Sequence, residues 1–322
     1  MTRELLDAAL EPIDTQSMQP VAKLGFFWVD LTRLCQQQCT HCYNSSGPDG
    51  THGTMTRHDW ERVLGEGAAL GATMVQFIGG EPTLYPDLPH LIRYALNAGL
   101  RVEVYSNFVR VTPALWRTFD QPGVQLATSY YSLDPAQHAA ITRRGTLPRI
   151  EANISEAVRR GIPLRVGLID VLDGQHVEDA RDRLARLGVS NMDVDQVRLL
   201  GRASVPTKPA DASQLCGRCG DGRIAILPDG TVTPCPLSPW LVAGSVHEQQ
   251  LADLAAEASR IAENEIVPAL PNACRPPCDP SCKPGCDPGV ADPDGCNPRG
   301  KCNPNEPCKP QLGTCKPDVK RR

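Results

Sequence analysis

The chain lacks a segment that a membrane would accept. None of its apolar runs approaches the ~20 residues a helix needs to cross a bilayer, and the first ten residues carry Arg3, Glu4 and Asp7 where a signal peptide would have an apolar core. A large charge of either sign is also missing. With 37 acidic and 33 basic side chains in 322 residues, nothing provides an electrostatic grip on nucleic acid or an anionic lipid surface. These absences predict a cytoplasmic protein with neither nucleic acid nor membrane as partner. They also change the meaning of its fourteen cysteines, which in an unexported chain point to metal or redox chemistry rather than disulfides.

The length leaves room for roughly two domains of about 150 residues, or one larger barrel and an appendage. From residue 26 to about 200, short β-branched or aromatic runs alternate with amphipathic runs of helix length, the pattern of successive βα units and a parallel sheet. The pattern predicts six strands: Phe26–Leu31, Thr73–Ile78, Arg101–Ser106, Val124–Ser129, Leu164–Ile169 and Val194–Leu199. The helices it predicts are Arg57–Leu70, Asp87–Ala98, Ile150–Arg160 and His176–Leu187, each followed by glycine, the usual C-terminal stop. Six such units build either an open partial barrel or a doubly wound sheet, and periodicity does not choose between them. Beyond Gly201 a Pro/Ser/Lys linker, Ala203–Ala210, leads to a hairpin turning at Pro228-Asp229-Gly230 and a helix near Glu248–Glu263. The tail from Pro271 has twelve prolines, eight cysteines and almost no large apolar side chains, so it cannot fold by burying a core. Each of its cysteines sits in Cys-x-Pro.

Cys35, Cys39 and Cys42 fall within eight residues, directly after the first predicted strand. Three clustered thiols fit a zinc site completed by His41 or a distant residue, or an iron–sulfur site. Gly79-Gly80-Glu81-Pro82 closes the second strand, where glycines let backbone approach a ligand closely and where parallel sheets bind ligands.

Together the cysteine loop, its place after the first strand and Gly-Gly-Glu-Pro after the second resemble the radical S-adenosylmethionine (SAM) superfamily over most of residues 25–240. The resemblance implies a partial (β/α)6 TIM-like barrel of the α/β class. It implies a [4Fe–4S] cluster held by Cys35, Cys39 and Cys42, with one iron left open for the amino and carboxylate groups of SAM. Reduction would then cleave SAM to a 5′-deoxyadenosyl radical that abstracts hydrogen, chemistry that belongs to the cofactors. Carried over by position, Glu81 would bind the SAM amino group, Gly79 and Gly80 would line the methionine, Tyr43 would approach the adenine, and Ser106 and Asn107 would face SAM. At the fourth strand Ser129 and Arg143 match the family's polar positions, whereas Tyr131 stands where many members have a ribose-binding aspartate. Asp134 either replaces that carboxylate or caps the following helix. Arg143 either reaches SAM or is a solvated surface charge, and Asp193, Asp195, Arg198 and Arg202 around the sixth strand either reach the barrel mouth to contact substrate or are surface charges.

Cys216, Cys219 and Cys235 flank the predicted hairpin. Read alone they fit half a zinc ribbon. Cys219-x10-Gly230-x4-Cys235 resembles the opening of the SPASM and Twitch extensions, which implies one or two auxiliary iron–sulfur clusters in a small Cys-rich hairpin and helix extension, with Cys274 or Cys278 as a further ligand. The expected organisation is an N-terminal extension (1–24), the radical SAM core (25–202), an auxiliary cluster domain (203–290) and a disordered Cys/Pro-rich tail (291–322). The resemblance implies modification of a ribosomal peptide or protein; the alternative is decarboxylation or dehydrogenation of a small molecule in natural-product biosynthesis. It further implies an electron donor such as flavodoxin or ferredoxin. Because only 34 residues precede Cys35, a fused leader-binding domain does not fit there, and a separate peptide-binding protein, or none, would take that role.

Overall fold

The computed structural model describes residues 24–207 and 210–269. Six strands lie side by side in chain order, every neighbour parallel: β1 (Phe26–Asp30), β2 (Met74–Ile78), β3 (Arg101–Tyr105), β4 (Val124–Tyr130), β5 (Leu164–Asp170) and β6 (Asn191–Gln196). This order decides between the two architectures. A doubly wound sheet reverses its strand order at a switch point and covers both faces. Here every crossover steps the same way, and right-handed connections then put all helices on one side. The chain is therefore an α/β protein with a partial (β/α)6 barrel.

The helices are α1 (Arg57–Ala69), α2 (Leu88–Asn97), α3 (Pro113–Phe119), α4 (Pro135–Thr142), α5 (Leu147–Arg159) and α6 (Val177–Arg186). Strand alternation separates two faces. Phe27, Val29, Val75, Phe77, Val102 and Val104 pack outward against Trp60, Val63, Leu64, Leu91 and Ile92 of α1 and α2. Phe26, Trp28, Met74 and Ile78 face inward with Tyr105. A polar row crosses the same inner face, where Gln76, Gln125 and Arg165 all donate to the buried Glu103, the last two at 2.6 and 2.7 Å. Each charge in the row has a partner, which is what allows it to be buried.

Two expectations need correction. The sixth strand starts three residues earlier than Val194, because its inward-facing positions are acidic rather than apolar and it forms the edge of the sheet, with β5 its one neighbour. Helix α3 was not expected, and α4 is the helix that the capping alternative for Asp134 implied; both begin with proline after a capping residue, Thr112 or Asp134. Asp134 accepts from the amides of Ala136 and Gln137, so it caps α4.

The hairpin does not stand apart. β7 (Arg223–Ile226) pairs in parallel with β1, and β8 (Thr231–Thr233) and β9 (Gly244–Ser245) extend the sheet antiparallel to nine strands. Helix α7 (Leu251–Ile261) covers them. Among the described residues no helix is long and apolar enough to cross a membrane.

Candidate functional site

The loop that carries Cys35, Cys39 and Cys42 lies over the C-terminal ends of the strands, tied down mostly by backbone bonds. Cys35 N donates to Gly47 O at 3.0 Å, Gln38 N to Thr142 O at 3.1 Å and Thr40 N to Ile141 O at 2.9 Å. Gly80 N and Glu81 N reach back to Thr32 O and Leu34 O at 2.6 and 2.9 Å. A Cβ on Gly79 or Gly80 would lie 2.7 Å from Thr32 O or 2.5 Å from Leu34 O. Both glycines are thus required for packing this loop onto β2, and both also line the cavity beneath it.

That cavity, about 150 Å³, is bounded by all three cysteines, Gly79, Gly80, Asn107, Ser129 and Tyr43 of the predicted set. Other predicted residues are placed elsewhere. Glu81 is fully buried and outside the cavity lining; its carboxylate already accepts from Thr83 N and Oγ1 (3.0 and 2.6 Å), Ser106 Oγ (2.8 Å) and Asn107 N (2.7 Å). Ser106 is turned to Glu81 instead of the cavity. The pair fixes Asn107, whose Nδ2 points at the Cys35 sulfur at 3.5 Å. Burial raises the Glu81 pKa against these four donors, which lower it. Arg143 is exposed, ending α4 in the left-handed conformation; the cations that line the cavity are Arg198 and Arg202. Asp195 is buried and paired with Arg198 at 3.2 Å.

Sequence reasoning passed over Tyr105; His41, Tyr131, Arg198 and Arg202, which it named without fixing a role, also stand in this wall. Tyr131 and Ser129 are alternate positions that face inward at the end of β4, a signal that strand periodicity carries. Tyr105 hydroxyl lies 2.8 Å from Ser129 Oγ, and the Tyr131 hydroxyl sits beside Ser129 and Cys39. His41 rests edge-on against Tyr131 at 5.0 Å. His138 lies outside this lining, buried near Tyr131 and bonded to Thr146 at 3.0 Å.

Burial pushes the Cys35 thiol up, with the Glu81 charge adding to it. Burial, with Cys42 adding, also pushes Cys39 up to about 12 against the pull of Arg202. Burial and Arg202 together push His41 down to about 4, so it is neutral at pH 7. Thiols so desolvated need a cationic group beside them to ionise. The donors are sulfur only, three in number, with the nearby carboxylate engaged elsewhere, which suits an iron–sulfur cluster with an open position. Among the described residues no three His, Cys, Asp or Glu side chains are grouped as a single metal ion would require. Three buried polar atoms of cavity-lining residues have no hydrogen-bond partner: His41 Nδ1, Ser46 Oγ and Arg198 Nε. Polar atoms left this way fit a cavity built for a polar ligand.

The second cysteine set lies in a small core of its own. Cys219 hydrogen-bonds Cys216 and Cys235, and these contacts, with burial, raise its pKa. Leu200, Leu215, Leu237 and Ile266 surround the three, and Tyr43 packs on them from the cavity side. Gly220 N bonds Pro234 O at 3.2 Å, closing the hairpin ends, and Ser259 Oγ of α7 bonds Gly220 O at 2.6 Å. The expected further ligands Cys274 and Cys278 lie outside the described residues.

Residues 29–187 match the family model of the radical SAM superfamily, and residues 216–287 match that of the SPASM iron–sulfur cluster-binding domain. A PqqA peptide cyclase from Ruegeria pomeroyi is 26% identical, aligned over 80% of this chain and 79% of its own. A GTP 3′,8-cyclase from Tolumonas auensis is 32% identical over 43% of this chain and 42% of its own. Among solved structures, Streptococcus suis SuiB bound to the precursor peptide SuiA has a TM-score of 0.62 at 12% identity, over 77% of this chain and 66% of that one. An anSMEcpe structure with bound AdoMet has a TM-score of 0.57 at 13% identity, over 74% and 82%. At such identities the structures establish the shared fold. The chain spans 79% of the Ruegeria protein but under half of several other curated relatives. By its barrel, its cysteine loop and the two matched models, the chain belongs to the radical SAM superfamily and carries a SPASM iron–sulfur cluster-binding domain.

Proposed function

We propose that this chain modifies a ribosomally made peptide or a protein side chain. The observation that carries the reading is the alignment with a peptide cyclase along most of both chains, which includes the second cysteine set as well as the barrel. A [4Fe–4S] cluster on Cys35, Cys39 and Cys42, with SAM, would supply one-electron reduction and hydrogen-atom abstraction. Cys216, Cys219 and Cys235 would hold an auxiliary cluster.

The protein's own residues bind, orient and exclude water. Gly79 and Gly80 expose backbone along the cavity, and Asn107, held by Glu81, presents its side chain beside Cys35. Ser129 and Tyr131 offer hydroxyls where a ribose-binding carboxylate would stand in many family members. Ile78, Ile169 and Val197 supply apolar stretches of the wall. The polar row of Gln76, Glu103, Gln125 and Arg165 fills the barrel interior, so a substrate would enter from the cavity side. An electron donor such as flavodoxin or ferredoxin would reduce the cluster.

The test is anaerobic incubation of the reconstituted chain with SAM, reductant and short peptides encoded beside its gene, followed by mass spectrometry. The expected result is a peptide that has lost hydrogens in step with SAM consumption. SAM cleavage with every peptide unchanged, but turnover of a small carboxylic acid or alcohol, would overturn it.

A further inference from the structure

The turn after β6 grips the cysteine loop through one residue. Arg202 N donates to Cys42 O at 3.0 Å, its Nε to Cys39 O at 2.7 Å and its Nη2 to Ser46 O at 2.6 Å. Three loop carbonyls, from the middle of the cysteine segment to its end, thus share one donor residue. The preceding Gly201 makes the approach possible. Its φ is +54°, and a Cβ there would lie 2.2 Å from Tyr43 O and 2.3 Å from Cys42 O. Leu200, one residue earlier, is buried in the small core with Cys219 and Cys235. Arg202 also lines the cavity, and its guanidinium cannot be deprotonated in a protein.

We propose that Arg202 is a positioning residue for the three-cysteine site: it ties Cys39 and Ser46 to the end of β6 and keeps a permanent positive charge beside the thiolates. The inference rests on the reading that Cys35, Cys39 and Cys42 hold a cluster. Two consequences follow from separate properties of the side chain. The planar fork that reaches two carbonyls holds the loop, and the charge favours the more negative, reduced state of whatever the thiolates bind. Lysine keeps the second property and loses most of the first.

The experiment uses the full chain, anaerobically reconstituted, as wild type, Arg202→Gln and Arg202→Lys. It follows the SAM-responsive paramagnetic signal during exposure to an iron chelator and during a potentiometric titration. Arg202→Gln is expected to lose that signal roughly 10-fold faster than wild type, the scale typical of residues that support metal ligands, with its midpoint shifted to more negative potential. Arg202→Lys is expected to lose it about as fast as the Gln variant, with a midpoint near that of wild type. The signal of the second cysteine set should be unchanged in both. Equal loss rates and equal midpoints in wild type and Arg202→Gln overturn the inference. So does equal loss of the second set's signal, or failure of Arg202→Gln to fold even in a chain with the three cysteines changed to alanine, since the residue would then support the whole fold. A wild-type chain with no SAM-responsive signal overturns the underlying reading together with the inference.

Discussion

The two cysteine sets use the same atoms in opposite settings. Cys35, Cys39 and Cys42 come from one loop suspended over the strand ends, face a cavity and leave polar atoms of His41, Ser46 and Arg198 unpartnered around it. Cys216, Cys219 and Cys235 are brought together by the ends of a hairpin and packed among leucines under α7, in contact with one another. An open coordination position distinguishes catalytic metal sites from closed structural ones. The first region faces a cavity and the second is packed into a core, with Tyr43 touching both.

The difference can be broken most completely by removing the loop thiols. Changing Cys35, Cys39 and Cys42 together to alanine should abolish SAM cleavage, measured as released methionine, while the iron bound by the hairpin set remains. The reciprocal change, Cys219→Ala, should reduce iron per chain and remove the signal that SAM does not perturb, leaving the SAM-responsive one in place. Loss of SAM response in that variant would mean that the sets are not separate sites. Glu81 belongs to the first region's support. Glu81→Ala leaves four donors without their acceptor, so it should destabilise the fold by at least about 2 kcal/mol and weaken SAM binding through a loosened Asn107, visible in denaturant melts and equilibrium binding. Tyr131→Phe is the mildest change. Loss of the hydroxyl that contacts Ser129 and Cys39 should cost about 1 kcal/mol, with SAM affinity reduced several-fold at most and the hairpin set untouched.

Most of the barrel was legible because its first five strands are apolar on both faces or alternate cleanly, and because glycine follows the helices. The sixth was placed three residues late, since Asp193 occupies an inward position at its start that a hydrophobic count reads as loop. The reader of the sequence could place Cys35, Cys39, Cys42, Gly79 and Gly80 beside one another because a motif fixes them locally. Arg202 and Tyr131 reach the same wall from positions 163 and 92 residues beyond Cys39, and only the closing of the sheet brings them there. Glu81 is a motif position read as a ligand contact, and in the structure its carboxylate also holds Thr83, Ser106 and Asn107. Arg143, left between two readings by the sequence, is exposed where the backbone turns left-handed at the end of α4.

The most direct test of the open and closed pair is iron, acid-labile sulfide and zinc per chain on anaerobically reconstituted protein, with electron paramagnetic resonance of the reduced sample before and after SAM. The account predicts more iron than one cluster holds and a signal of which only part shifts when SAM is added. Zinc in place of iron, or a reduced signal that SAM leaves wholly unchanged, would contradict it.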